Sequence, residues 1–163
     1  MSKICKLLLV EDHSDMQDLL RELFASEGYR FIIVGAGAEM RRVLDSDEAI
    51  DAVIIDVLLP GSVDGVALAD EVAARGLPAI LVTGDHTQHE RLLESGHRHL
   101  LKPFGLASFV ALIEDVLRQT KTRCERDIDA ASIYAFASKK HGGAARGDAS
   151  GAAATVRRVR LPN

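Results

Sequence analysis

Five short apolar runs, separated by amphipathic stretches, constrain the fold of this 163-residue chain more than any other feature of its sequence. Each run is short enough to be a single strand, and the segments between the runs repeat their apolar residues at helical spacing. Strict alternation of strand and helix patterns, with strands that are apolar on both faces, is typical of a parallel sheet covered by helices on both sides. The predicted strands are residues 4–10, 30–34, 52–55, 79–82 and 98–101.

The connections between these runs predict the arrangement of the sheet. Right-handed crossovers leave few topologies for five strand–helix units, and we expect an α/β, flavodoxin-like, doubly wound sheet with strand order 2-1-3-4-5. Its core must be aliphatic, since aromatic residues make up only 4% of the chain. His13 is expected to face solvent where the first helix begins. The predicted helices are residues 14–26, 39–46, 66–75, 86–95 and 107–119.

Charge divides the chain into two parts. Residues 1–120 contain 11 Lys+Arg and 20 Asp+Glu, a net charge of −9, and residues 121–163 contain 9 and 4, a net charge of +5, which together give the −4 of the whole chain. We therefore predict one folded domain over 1–120 and a basic, Ala/Gly-rich tail over 121–163. The tail has room for a short helix at 127–140, and the rest has too few apolar residues to offset the entropy of ordering, so we predict that it is disordered.

The cysteines and the N-terminus predict a cytoplasmic location. Cys5 and Cys124 are the only cysteines, and they form no C-x-x-C pattern, so two reduced thiols are expected. The residues before the first strand are too few for a signal peptide, and no apolar run is long enough to cross a bilayer. No membrane association is therefore expected.

Chemically active side chains stand at the ends of four of the five predicted strands. Glu11 and Asp12 follow the first strand, Asp56 the third, Thr83 the fourth and Lys102 the fifth. The carboxyl ends of parallel strands meet at one edge of a sheet, which is where ligands bind in this class of fold. We therefore expect three carboxylates, one hydroxyl and one ammonium to converge there.

This set of groups points to phosphoryl transfer. Clustered carboxylates repel one another unless a cation neutralises them. Mg²⁺ fits this role, because it is bound by carboxylates, water and phosphate oxygens. A carboxylate is also a nucleophile toward phosphorus, and phosphoryl transfer needs positioning and charge neutralisation above all. Lys102 and the cation would neutralise the phosphoryl oxygens, while the Thr83 hydroxyl would donate a hydrogen bond to one of them.

In order and in position, these residues resemble the response regulator receiver family of two-component signalling, over about residues 3–119. The resemblance implies that a histidine kinase or a histidine phosphotransfer protein phosphorylates Asp56. It also implies that Asp12, Asp56 and the backbone carbonyl of Leu58 bind Mg²⁺ directly and that Glu11 holds a metal-bound water. The motifs that carry the resemblance are Glu11-Asp12, Ile55-Asp56-Val57-Leu58-Leu59-Pro60, Asp64-Gly65, Val82-Thr83-Gly84 and Leu101-Lys102-Pro103-Phe104.

The resemblance further implies a conformational switch made by Thr83 and the residue three positions before the lysine, which is His99 here and usually an aromatic in the family. It implies a cis peptide bond between Lys102 and Pro103, and a possible homodimer through the last two strand–helix units. The loop 60–65 is one residue longer than the commonest family form, and Gly84 stands where alanine is more usual.

The function expected from the sequence is that of a stand-alone receiver. It would signal to an unknown downstream protein by contact or through a phosphorelay, and would catalyse only its own phosphorylation and dephosphorylation. The tail has no room for a helix-turn-helix output domain, so direct sequence-specific DNA binding is not expected. The alternative is a receiver-like binding module that works without phosphorylation. A phosphatase of the haloacid dehalogenase type fits poorly, because Leu58 stands where that family has a second aspartate.

Overall fold

A computed structural model of the protein describes residues 3–61, 63–120 and 124–125. Five parallel strands form one sheet in the order β2-β1-β3-β4-β5, so the predicted doubly wound fold is confirmed. Every predicted strand is present within a residue or two. The strands are β1 (Lys6–Val10), β2 (Arg30–Val34), β3 (Ala52–Asp56), β4 (Ala79–Thr83) and β5 (Arg98–Leu101).

Five α-helices alternate with the strands, as predicted. The second helix begins two residues before the predicted start. Glu39 is the third residue of that helix, and its carboxylate reaches back to accept a hydrogen bond from the Gly35 N–H at 2.9 Å. No helix in the described part of the chain is long and apolar enough to cross a membrane. The helices are α1 (Ser14–Ser26), α2 (Gly37–Leu44), α3 (Gly65–Ala74), α4 (His89–Ser95) and α5 (Leu106–Gln119).

The segment between β4 and β5 differs from the single helix predicted over 86–95. A 3-10 turn at His86–Gln88 precedes α4. Asp85 caps this turn, because its carboxylate accepts hydrogen bonds from the Thr87 N–H at 2.9 Å and from the Thr87 hydroxyl at 2.6 Å. These bonds hold the pKa of Asp85 below its ordinary value, with the Thr87 hydroxyl as the largest cause. The carboxylate of Asp85 is therefore occupied by its own turn.

Alternate residues of the central strands pack into two separate cores. In β1, Leu7 and Leu9 face the layer of α1 and α5, whereas Leu8 and Val10 face the layer of α2, α3 and α4. This alternation is the two-residue period of a strand, with both faces covered by helices. Fully buried aliphatic and aromatic side chains fill both cores, among them Phe24, Phe109, Ile54 and Ile80 on the first side and Met40, Ile55, Leu68 and Leu92 on the second.

The N-terminal strand corrects one prediction. The single strand expected over 4–10 is broken at Cys5, and the short strand Lys3–Ile4 pairs in parallel with Cys124–Glu125. Cys5 is disulfide-bonded, so the prediction of a reduced thiol at this position is wrong. No local pattern indicates that residues so far apart along the chain pair in this way. The rest of the predicted tail 121–163, with its helix at 127–140, lies outside the described residues.

Candidate functional site

The ends of β1, β3 and β5 meet around one ammonium group. Lys102 Nζ lies 2.6 Å from Asp56 Oδ2 and 3.0 Å from Glu11 Oε2. Glu11 and Asp56 are 91 and 46 positions away from Lys102 along the chain, so only the parallel sheet brings the three together. Of the five groups predicted to converge at this edge of the sheet, these three are in direct contact.

Both carboxylates in this cluster are buried, which makes their contact with Lys102 strong. Glu11 is 2% and Asp56 is 5% exposed, while the side chain of Lys102 is 21% exposed. Burial alone would lower the pKa of Lys102. Hydrogen bonds to Asp56 and then to Glu11 outweigh that effect, so the pKa of Lys102 lies above its ordinary value. The ammonium is thus charged at neutral pH.

The backbone around Asp56 fixes the direction of its side chain. Asp56 Oδ1 accepts a hydrogen bond from the Leu58 N–H at 2.8 Å, and the Val57 N–H donates to the Val82 carbonyl at 2.8 Å. Gly65, the first residue of α3, packs directly against this turn. A Cβ atom at Gly65 would lie 2.6 Å from Val57 Cα and 2.8 Å from the Asp56 carbonyl oxygen. Only glycine allows this close approach of helix and strand.

Thr83 lies beside the cluster and is tied to Lys102 through the backbone. The Lys102 N–H donates to the Thr83 carbonyl at 2.7 Å, and the peptide bond between Lys102 and Pro103 is cis. The Thr83 side chain is fully buried, and its hydroxyl oxygen accepts a hydrogen bond from the Asp85 N–H at 3.0 Å. This leaves the hydroxyl hydrogen to donate to a further acceptor.

Asp12 completes an acidic group at the end of β1. Its Oδ1 atom has almost no accessible surface and accepts no hydrogen bond among the described residues. His13 Nδ1 lies 3.2 Å from this oxygen and 3.3 Å from Glu11 Oε1. The ligand atoms of Glu11, Asp12 and His13 lie within 4.8 Å of one another. A buried carboxylate oxygen with no donor, beside two further ligand atoms, fits the donor set that a divalent cation takes.

His99, the predicted switch residue, lies on β5 opposite Leu81 and is half-buried. Its ring contacts the ring of His89 edge to face, with centroids 5.6 Å apart, and its Nδ1 lies 3.3 Å from the His97 carbonyl oxygen. Within the described residues, these hydrogen-bond and ring contacts do not reach Asp56. The switch role of His99 stays a prediction.

Two contacts near the site are not predicted by the sequence patterns. His13 faces solvent as expected, with 75% of its side chain exposed, yet its Nδ1 turns back toward the acidic pair. Arg91 on α4 pairs with Asp64, whose other oxygen caps α3 by accepting from the Val66 N–H at 3.0 Å. Partial burial of Asp64 acts against these bonds, but they hold its pKa below its ordinary value. The position of His13 next to the acidic pair is a usable signal, whereas the Arg91 contact depends on helix packing.

The fold and the strand-end cluster define a class of signalling domain, and comparison with known families agrees. Residues 7–114 match the family model of the response regulator receiver domain, so the chain belongs to that family of two-component systems. This is a family of signalling domains rather than of metabolic enzymes.

Among curated relatives, the chain is 34% identical to the uncharacterized transcriptional regulatory protein YbdJ of Bacillus subtilis, over 69% of this chain and 50% of YbdJ. It is 28% identical to the response regulator MprA of Mycobacterium ulcerans, over 78% and 56%. The chain thus spans about half the length of the curated relatives it matches.

The solved structures similar to this chain include receiver domains. The receiver domain of the sensor histidine kinase PA1611 from Pseudomonas aeruginosa has a magnesium ion coordinated in its active site cleft. It matches with a TM-score of 0.62 at 28% identity, over 71% of this chain and 98% of the other. The receiver domain of the response regulator TorR matches with a TM-score of 0.64, also at 28% identity and over the same shares.

Proposed function

We propose that this receiver accepts a phosphoryl group on Asp56 from a histidine kinase or a histidine phosphotransfer protein. One observation carries the proposal: a buried carboxylate at the end of β3 is held 2.6 Å from the Lys102 ammonium. A structural salt bridge alone would not need the acidic pair beside it, where Asp12 Oδ1 is buried without a donor among the described residues. A site built to neutralise an incoming phosphoryl group needs both the ammonium and a place for a cation.

The proposed chemistry is an in-line displacement at phosphorus. A carboxylate oxygen of Asp56 forms the new O–P bond while the P–N bond of the donor phosphohistidine breaks, and the departing imidazole keeps the electron pair. Lys102 then pairs with the phosphoryl oxygens, and the Thr83 hydroxyl donates a hydrogen bond to one of them. The buried positions of Asp56 and Thr83 keep bulk water from competing for these contacts.

The chain's own residues also suggest how Mg²⁺ would be held. Asp12, Asp56 and the Leu58 backbone carbonyl would bind it directly, and Glu11 would hold one of its waters. When bound, the ion neutralises the charge that develops on the transferred group. The magnesium in the related PA1611 receiver, together with the Asp12 oxygen that has no donor in the described chain, supports this assignment.

The proposal predicts that acetyl phosphate with Mg²⁺ adds one phosphoryl group to the wild-type chain, detected by intact mass and by Phos-tag gel shift. Asp56→Asn is expected to remove the adduct, because the amide is not a nucleophile toward phosphorus. Asp51→Asn is the matched control: Asp51 is also buried, it accepts a hydrogen bond from the Lys6 N–H at 2.9 Å, and an asparagine can still do so. This control is expected to retain the adduct.

Two results would count against the proposal. An adduct that persists in Asp56→Asn would place the acceptor elsewhere. No adduct in a wild-type chain that binds Mg²⁺ would favour the alternative, a receiver-like module that binds its partner without phosphorylation.

A second prediction concerns the cation. We expect Mg²⁺ at ten times its dissociation constant to raise the free energy of unfolding by about 1.4 kcal/mol, because it binds only the folded chain. Asp12→Asn is expected to lose most of this gain while melting normally in EDTA. Thermal melts in EDTA and over a Mg²⁺ titration measure both effects. An equal Mg²⁺ gain in the variant would remove Asp12 from the proposed ligand set.

The proposed output is a contact with a downstream protein or onward transfer of the phosphoryl group in a phosphorelay. The proposed receiver domain spans residues 1–120. Phosphotransfer profiling against the host's histidine kinases and phosphotransfer proteins would identify the donor. Because relatives such as YbdJ are transcriptional regulators and this chain spans about half their length, the absence of direct DNA binding stays a prediction. The homodimer through the last two strand–helix units and the cytoplasmic location also stay predictions.

A further inference from the structure

We infer that Arg91 is a positioning residue for phosphoryl transfer, because it links the loop after Asp56 to the segment that holds the Thr83 hydroxyl. The inference rests on the proposed function, since it concerns the same transfer to Asp56. It goes beyond that function by giving a role to a residue of α4 that belongs to neither the acceptor nor the proposed cation ligands.

On one side, Arg91 contacts the loop that follows the acceptor. Its guanidinium pairs with Asp64 Oδ2, while Asp64 Oδ1 accepts a hydrogen bond from the Val66 N–H at 3.0 Å and so caps α3. The backbone of Asp64 forms an antiparallel bridge with Leu58. Leu58 in turn donates its N–H to Asp56 Oδ1 at 2.8 Å. The ion pair therefore ties the start of α4 to the loop that orients the acceptor.

On the other side, α4 is continuous with the segment that holds Thr83. The Thr83 hydroxyl oxygen accepts from the Asp85 N–H at 3.0 Å, and Asp85 caps the 3-10 turn that leads directly into α4. Side-chain contacts follow the same route. Arg91 Nη1 donates to Gln88 Oε1, and Gln88 Nε2 donates to Asp85 Oδ2, each at 3.4 Å. A shift of Arg91 would therefore be passed on to the Thr83 hydroxyl.

The sheet closes these contacts into a ring. Asp56 lies opposite Val82 in the register of β3 and β4, and Thr83 is the next residue after Val82. Asp56 is the last residue of β3 and Thr83 is the last of β4, so the two loops leave the sheet there. Arg91 joins these loops beyond the strand ends. Because phosphoryl transfer depends on positioning and charge neutralisation, a looser Thr83 hydroxyl should slow the transfer.

The initial rate at which acetyl phosphate with Mg²⁺ modifies Asp56, followed by intact mass, tests the inference. Arg91→Gln is expected to slow this rate by about two- to fivefold. The effect is small because 48% of the Arg91 side chain is exposed, and exposed ion pairs contribute little. Asp64→Asn should slow the rate equally, since the asparagine oxygen can still cap α3. The double variant should be no slower than either single variant.

A Thr83→Val background separates positioning from a general loss of structure. If Arg91 acts through the Thr83 hydroxyl, Arg91→Gln should change the rate of the Thr83→Val chain by less than about 1.5-fold. Arg41→Gln is the matched control. It breaks a similarly exposed ion pair, in which Arg41 on α2 lies 2.7 Å from Glu71 on α3, and it should leave the rate unchanged.

The outcomes separate the role of Arg91 from the proposed function. A wild-type rate in Arg91→Gln would overturn the positioning role and leave the proposed function standing. The same slowing in the Thr83→Val background, or in Arg41→Gln, would do so as well. If the wild-type chain binds Mg²⁺ but forms no adduct on Asp56, the proposed function fails and the positioning role fails with it.

Discussion

Replacing Lys102 with methionine is expected to lower the free energy of unfolding by about 3 kcal/mol at neutral pH in EDTA. Methionine keeps much of the side-chain volume but removes the ammonium that lies between Glu11 and Asp56. Both carboxylates are buried, so the variant leaves two uncompensated charges close together. Removing one partner of a buried ion pair is far more destabilising than removing an exposed one, which sets the size of the effect.

The pH dependence of this loss has a definite sign. The pKa of Lys102 is raised in the folded chain, so its contribution is complete below the ordinary lysine value of about 10.4 and is lost as the pH rises through the raised value. The difference between wild type and Lys102→Met should therefore disappear at strongly alkaline pH.

Urea denaturation of matched variants measures this effect. Lys6→Met is the control, since Lys6 pairs with the exposed Glu48 and should lose less than about 1 kcal/mol. Combining Lys102→Met with Asp56→Asn should recover part of the loss, because the double variant has one buried charge fewer. A Lys102→Met chain within about 1 kcal/mol of wild type at neutral pH would show that the three-residue cluster is not held by charge.

A Gly65→Ala substitution should damage stability and phosphorylation together. The new Cβ would meet Val57 Cα and the Asp56 carbonyl oxygen, which are backbone atoms that cannot rotate away. Alanine favours a helix by about 1 kcal/mol over glycine, but overpacking of this kind costs about 1–3 kcal/mol or more, so the clash wins. Because the strand end that carries Asp56 must shift, phosphorylation by acetyl phosphate should slow by about 100-fold.

Gly84→Ala is the matched control for this experiment. Gly84 is also a glycine beside the site, but the atom nearest to a Cβ added there would be Lys102 Cβ at 3.9 Å, an ordinary contact. We expect its stability to change by less than about 1 kcal/mol, with any gain coming from a less flexible unfolded chain. Denaturation curves and phosphorylation rates of the two variants give the comparison, and equal behaviour would contradict the close packing at Gly65.

The sequence is sufficient to predict the sheet and the strand-end residues because both follow from repeating patterns. Strand–helix alternation determines which strand ends share an edge, so Glu11, Asp56 and Lys102 can be brought together without coordinates. The limits of α2 are less predictable. Glu39 directly precedes the apolar residues of this helix and was expected to be its first residue, but it is the third.

Other features depend on contacts that no local pattern carries. The turn of the His13 ring toward Asp12 is a matter of side-chain rotamer, and the pairing of Arg91 with Asp64 depends on where α4 packs. The bond at Cys5 arises together with a short strand pair formed by distant segments. Sequence spacing does not predict any of these contacts, since each is set by tertiary packing.

The meeting of three carboxylates with one ammonium has a consequence for signalling. Glu11, Asp12, Asp56 and Lys102 together carry two net negative formal charges, which a single divalent ion would balance. A phosphoryl group on Asp56 would bring the charge of that side chain to about −2. Without a bound cation, the phosphorylated site would therefore carry an excess of negative charge. The lifetime of the phosphorylated state would then depend on the cellular magnesium concentration as well as on kinase activity, and the domain would respond to the two together.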